Sequence, residues 1–191
     1  MGVLLSVQPT AGLPGLRLRP WQVDDVDALV AAHRDPVMRR WLLTVIDDEA
    51  DAGRWIDGRR RSWAAGTGFG FAVQEDGGVG FGPPVGHVNV KVRAEGVAEV
   101  GYWTAARGRG RGLASRALEA VVGWALAEGS AVPVARLELF HAVGNHASCR
   151  VADRCGFGLE AVLPAQPPAL PNEGHLHVRR ARRGYGSLPR G

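Results

Sequence analysis

Arg107-Gly108-Arg109-Gly110-Arg111-Gly112-Leu113-Ala114 joins two segments of different periodicity. Before it, Val97-Ala98-Glu99-Val100-Gly101-Tyr102-Trp103-Thr104 is short and apolar-rich, the pattern of a strand. After it, Leu113, Ala117, Val121, Trp124 and Ala125 recur at the spacing of one helix face, predicting a helix over 113–128. A strand, a glycine-rich turn and a helix start form a natural anion site. The first amides of a helix lack internal partners, and the helix dipole adds partial positive charge there. Glycines let successive N–H groups turn toward one anion, and arginines add charge.

The spacing separates this loop from two common phosphate binders. A P-loop requires Gly-x-x-x-x-Gly-Lys-Ser/Thr, and no lysine follows these glycines. A dinucleotide fingerprint requires Gly-x-Gly-x-x-Gly, whereas Gly108, Gly110 and Gly112 are spaced by two. The pattern that fits is Arg/Gln-x-x-Gly-x-Gly/Ala, here Arg109-x-x-Gly112-x-Ala114, with Arg107-x-x-Gly110-x-Gly112 matching in a second register. Downstream, Asn145-His146-Ala147-Ser148 precedes a segment from Cys149 to Cys155 and then Gly156-Phe157. Asn145 suits a helix N-cap and Gly156 the residue past a helix end.

These two motifs, in this order and with the strand-like Val134–Phe140 between them, resemble the GNAT superfamily of N-acetyltransferases. The resemblance covers about Leu16 to Arg183. It is nearest the Rim-type branch that acetylates ribosomal-protein N-termini, which carries Glu-x-Gly-Tyr-Trp and Asn-x-x-Ser, here Glu99 to Trp103 and Asn145 to Ser148. It implies an α/β (α+β) fold whose mixed, mostly antiparallel sheet has about seven strands. The strands at 97–104 and 134–140 splay apart, and helices cover both faces.

The resemblance further implies acetyl-CoA as cofactor and an amine acceptor, either a small molecule or a peptide N-terminus. The pyrophosphate would lie on Arg107, Arg109, Gly110, Arg111, Gly112, Leu113, Ala114 and Ser115. The pantetheine would lie along Val100, Gly101, Tyr102, Trp103 and Thr104, with Asn145 and Ser148 beside it. Trp103 reads equally as core. Glu99 is the first choice of general base, through a water, with His87 and His141 competing. The tyrosine that many members use to protonate the departing thiolate is Ala152 here, which leaves Ser148 or water. Arg116, where Rim-type chains often carry glutamate, would serve an adenosine phosphate or face solvent. Asp47, Asp48, Glu49 and Asp51 would form an acceptor-facing patch or complement a helix dipole. The competing reading is a non-catalytic acyl-CoA sensor on the same fold.

The chain of 191 residues suits a single domain over 15–183, with a flexible leader over 1–14 and a basic flexible tail over 184–191. It holds 23 basic and 19 acidic residues, and only Lys91 among the basic ones is lysine, a bias expected of a GC-rich bacterial genome. Arginines crowd the C-terminal end, yet no nucleic-acid-binding module accompanies them, so no nucleic acid is expected. Cys149 and Cys155, six apart on one helix at ~1.5 Å per residue, exceed disulfide reach. Six scattered histidines supply no zinc spacing, and no metal is expected. A cytoplasmic enzyme without a membrane segment follows, and the resemblance also allows a homodimer.

Overall fold

In the computed structural model, described for residues 3–130, 132, 134–168 and 171–181, one eight-stranded sheet organises the chain. Its strands are β1 (Leu5–Val7), β2 (Leu16–Pro20), β3 (Gly68–Glu75), β4 (Gly86–Ala94), β5 (Gly96–Thr104), β6 (Val134–Ala142), β7 (Gly158–Leu163) and β8 (Gly174–Arg180). The helices are α1 (Val26–His33), α2 (Pro36–Trp41), α3 (Glu49–Ala64), α4 (Leu113–Ala125) and α5 (His146–Arg154). The spatial order is β1-β2-β3-β4-β5-β6-β8-β7. Every neighbouring pair is antiparallel except β5 and β6, which are parallel.

Strand alternation divides the core in two. Phe71, Val73, Val88, Val90, Ala98, Val100, Leu137 and Leu139 meet Leu113, Leu118, Val121 and Val122 of α4 and Ala152 of α5. A second cluster gathers Trp21, Leu29, Met38, Ile56, Ala72 and Trp103 under the first three helices. The helix caps follow the sequence. Asp48 accepts from the Asp51 amide at 2.7 Å and starts α3, while Asp35 accepts from the Val37 amide at 2.9 Å and starts α2 with Pro36 in its first turn.

The parallel pair carries the feature that matters for function. The β5–β6 ladder begins at Gly96↔Val134 and ends at Val100↔Leu139. Beyond it, Gly101 to Thr104 pair only with β4, and Phe140 to Ala142 only with β8. The expected splay is therefore present. α4 starts shortly after β5 and α5 shortly after β6, so two helix N-termini flank the opening.

The leader corrects the expected architecture. Leu5–Val7 forms an eighth strand against β2, with Leu5↔Leu18 and Val7↔Leu16 in register, so residues 3–14 are not loose. Leu5 and Val7 pack on the α4-side core. Arg116 on α4 donates to the Pro14 carbonyl at 2.9 Å and the Gln8 carbonyl at 3.0 Å, so it tethers the leader while remaining partly exposed. The basic tail expected over 184–191 lies outside the described residues. Arg116→Met should lower the unfolding free energy by about 1–3 kcal/mol, the worth of charge-assisted bonds to backbone carbonyls. Urea denaturation measures this, and amide exchange should accelerate at Leu5–Val7; unchanged exchange there would refute the tether.

Candidate active site

The loop ahead of α4 is shaped by backbone and braced by side chains. Gly110 (φ 75°) and Gly112 (φ 67°) adopt left-handed conformations that a side chain would strain, and no atom lies within 4 Å of where their Cβ would sit. Gly112 is the N-cap of α4 and offers no side chain to it. The Arg116 amide donates to the Gly112 carbonyl at 3.2 Å, so the amides of Leu113, Ala114 and Ser115 lie ahead of the helical ladder. These are amides on which a pyrophosphate is expected from the sequence.

The loop arginines do something else. Arg107 donates to the Pro84 carbonyl at 2.7 Å, Arg111 pairs with Glu75 at 2.6 Å, and Arg109 pairs with Asp35 while donating to the Thr104 carbonyl at 3.2 Å. Each guanidinium holds the loop to a neighbouring element. Arg109 reaches the N-cap of α2 in this way, and it also lines the first of two cavities.

Two adjoining cavities occupy the splay. The first, about 450 Å³, is lined by Tyr102, Trp103 and Thr104 on β5, by Arg109, Gly110, Gly112, Leu113, Ala114 and Ser115 of the loop and α4, and by Asn145 and Ser148 of α5. Among the predicted cofactor residues, Arg107 and Arg111 brace it from behind. The second cavity, about 330 Å³, takes Glu99, Val100 and Gly101 of β5, with His87, Asn89, Trp55, Arg59 and His141. Trp41, Leu42, Tyr102, Trp103, Asn145 and Ser148 belong to both. Trp103 serves both readings: its ring is buried 5.8 Å from Trp21 and 5.9 Å from His87, and it still walls the cavities.

The wall between the cavities holds a contact that sequence reasoning missed. The Tyr102 hydroxyl donates to Ser148 Oγ at 3.0 Å, bridging β5 and α5 across 46 residues of chain. Burial pushes the Tyr102 pKa up to about 12, against the lowering effect of the Ser148 bond, so the phenol keeps its proton at neutral pH. Only the alternation of β5, which places Tyr102 on the α5 side with Val100, hinted at it. Asn145 caps α5, its side-chain oxygen accepting from the Ser148 amide at 3.3 Å. The cap and its place in both cavities coexist.

The candidate bases differ sharply. Glu99 lines the second cavity, and both bonds from Arg93 fall on its Oε2, the Nε one at 2.8 Å, leaving Oε1 without a side-chain partner. His87 is buried among Trp21, Trp55 and Trp103. Its Nδ1 lies 3.0 Å from both Trp21 Nε1 and the Phe71 carbonyl, and one nitrogen can accept from the first or donate to the second but not both. Burial first, then the charges of Arg59 and His33, outweigh the Phe71 carbonyl and bring the His87 pKa down to about 3. His87 is thus held neutral at physiological pH, packed among the three tryptophans at the edge of the second cavity. His141 donates from Nδ1 to the Ala142 carbonyl at 2.9 Å and turns Nε2 toward Cys149.

Other expectations are corrected here. Asp47 pairs with Arg39, Asp48 caps α3 and Asp51 pairs with Arg54, so these acids hold local structure and do not line the second cavity. Cys149 and Cys155 are free thiols, as their spacing leads one to expect. The histidines are not all scattered in space: His141, His175 and His177 converge with Cys149, a grouping that their sequence spacing does not show.

A family model described as an acetyltransferase (GNAT) domain matches residues 15–158. The chain belongs to the GNAT acetyltransferase family. Solved structures agree on the fold. A GNAT-family acetyltransferase from Bacillus anthracis aligns with a TM-score of 0.77 at 17% identity over 94% of this chain and 99% of that one. RimL, a ribosomal-protein alpha-N-acetyltransferase solved with coenzyme A, aligns with 0.76 at 18% over 93% and 98%. RimJ of Mycobacterium smegmatis, solved with a coenzyme A disulfide, aligns with 0.72 at 21% over 94% and 87%. A search of curated proteins finds no match. No helix among the described residues is long and apolar enough to cross a membrane.

His87 and His33 predict an acid limit to stability. Burial lowers both pKa values, with Arg39 adding to the effect at His33, so the folded chain keeps the rings neutral where the unfolded chain binds protons. Above the ordinary value of 6.5 neither contributes; as pH falls from there toward 3, stability drops by about 1.4 kcal/mol per pH unit for each proton that only the unfolded state binds. His87→Gln should flatten the dependence of unfolding free energy on pH between 6 and 4 by that slope. An identical slope in the variant would sink the assignment.

Proposed function

We propose that this GNAT acetyltransferase moves an acetyl group from acetyl-CoA to a primary amine held in the second cavity, with the cofactor in the first. The observation that carries this reading is the Tyr102–Ser148 wall, which lets two cavities meet at a single proton-bearing point. Acetyl-CoA would supply the acetyl thioester: as the amide C–N bond forms and the C–S bond breaks, coenzyme A would leave as a thiolate in need of a proton.

This chain's residues divide the rest of the work. The amides of Leu113 to Ser115, with the α4 dipole behind them, fit a pyrophosphate. The unpaired edge of β5 from Gly101 to Thr104 offers backbone groups to an extended pantetheine arm, as a strand added to a sheet edge would use them. Ser148 holds a proton at the shared wall, its oxygen receiving the Tyr102 hydroxyl, which replaces the tyrosine absent at Ala152. Glu99 accepts the amine proton through a water, using the oxygen that Arg93 leaves open.

Arg59 narrows the acceptor. It is half-buried beside the second cavity, its Nε has no hydrogen-bond partner, and burial lowers its pKa. A buried donor without a partner favours an acceptor carrying a carbonyl or carboxylate near its amine, as a peptide N-terminus or an amino acid does, over a polyamine.

Thiol release from acetyl-CoA against N-terminal peptides, amino acids and polyamines tests the reading. Gly112→Glu should abolish coenzyme A binding in calorimetry, through strain and a repelling charge. Glu99→Gln should lower kcat/KM by about 10²–10⁴ while coenzyme A affinity stays at wild type. Arg59→Gln should raise KM for peptides and leave polyamine rates unmoved. Coenzyme A binding with no acceptor-dependent release, unchanged by Glu99→Gln, would instead favour an acyl-CoA sensor.

A further inference from the structure

We infer that His141, Cys149, His175 and His177 form a structural site for a divalent transition metal of borderline softness, zinc above all. The inference stands apart from the acetyl-transfer reading. The four ligand atoms lie within 4.8 Å of one another, yet they come from three elements. β6 supplies His141, β8 supplies His175 and His177, and α5 supplies Cys149. The register of β6 and β8 sets His141 directly opposite His175, and the two-residue repeat of a strand puts His177 on the same face. α5 then lowers Cys149 onto that face.

Proton bookkeeping argues for a cation at the centre. His141 Nδ1–H donates to the Ala142 carbonyl at 2.9 Å, and His177 Nδ1–H to the Phe157 carbonyl at 3.3 Å. Both rings therefore turn an Nε2 lone pair inward. His175 directs Nδ1 at Cys149 Sγ, 3.4 Å away, and His141 Nε2 lies 3.7 Å from the same sulfur. The thiol proton can serve one of the two inward Nε2 lone pairs, on His141 and His177, and His175 either donates to the sulfur from Nδ1 or adds a third lone pair. His177 is 2% exposed and its Nε2 has no partner, a buried polar atom that costs free energy until something fills the gap. A cation that takes all four ligands, with the thiol proton passing to solvent, removes the mismatch.

The geometry and chemistry agree on the kind of ion. Tetrahedral zinc, with bonds of about 2.0–2.1 Å to nitrogen and 2.3 Å to sulfur, holds nitrogen and sulfur ligands about 3.5–3.6 Å apart. The two Sγ–N separations here, 3.4 and 3.7 Å, bracket that edge. Thiolate with three imidazoles suits zinc and excludes magnesium or calcium, which require oxygen. Four protein ligands close the sphere, as in structural sites, and the two backbone carbonyls fix ring orientation as outer-shell acceptors do.

The test uses the untagged full chain, stripped with EDTA, desalted and titrated with zinc chloride. One equivalent should bind by calorimetry and survive gel filtration in elemental analysis, and the melting temperature should rise with zinc. The cobalt-loaded chain should show tetrahedral ligand-field absorption and a thiolate charge-transfer band. Cys149→Ser and His177→Gln should each weaken zinc by at least about two orders of magnitude, and the first should erase the charge-transfer band. Because the wild-type cobalt spectrum reports the ligands directly, the inference stays testable where a variant fails to fold. Sub-stoichiometric zinc in the wild type, an octahedral cobalt spectrum, or affinity unchanged in Cys149→Ser would each overturn it.

Discussion

β5 and β6 run parallel in a sheet that is otherwise antiparallel, and their ladder stops at Val100↔Leu139 while both strands continue. Parallel strands end on the same edge, so the segments that follow them emerge side by side. Those segments begin α4 and α5. Two helix N-termini, with their unpaired amides and dipoles, are thereby aimed at one opening. An antiparallel pair would have sent them to opposite edges. The free amides after Gly112, the open backbone of Gly101 to Thr104 and the Asn145 cap all follow from this one pairing.

The opening needs support because parting two strands removes ladder bonds and exposes backbone. Support comes from side chains reaching across elements. Arg109 ties the loop to Asp35 at the start of α2, Arg111 ties it to Glu75 on β3, and Arg107 ties it to the Pro83–Pro84 turn. Tyr102 ties β5 to α5 through Ser148. The arginine-rich composition of the loop thus gives it three braces to neighbouring elements.

How much of this was legible depended on the range over which each signal acts. α3 was readable to its ends, since Asp48 caps it locally and its apolar residues repeat at 3.6. The loop and both motifs were readable for the same reason: their residues are neighbours in the chain. β1 was not, because a strand of three residues carries little periodicity and its tether, Arg116, is about a hundred residues away. The Tyr102–Ser148 bond and the histidine cluster were hidden for a related reason. Neither has a spacing rule, since each exists only through strand register and helix docking. His87 was legible only by type, which left a base and a packing role both open; the three tryptophans around it are visible only in the fold.

α5 is where these threads meet. Its first turn carries Ser148 and Cys149 in succession, and consecutive helical residues point roughly 100° apart. Ser148 therefore reaches β5, the near arm of the opening, while Cys149 reaches β6 and β8, the far arm. Asn145 fixes the helix start between them. A helix of nine residues is short for independent stability, so its position is set by what holds its ends. One anchor is a hydrogen bond to the half-buried phenol of Tyr102; the other is a four-ligand cluster one residue on. A metal in that cluster would pin the far arm, and the distance left for Tyr102 to reach Ser148 would then be set by the width of the splay itself.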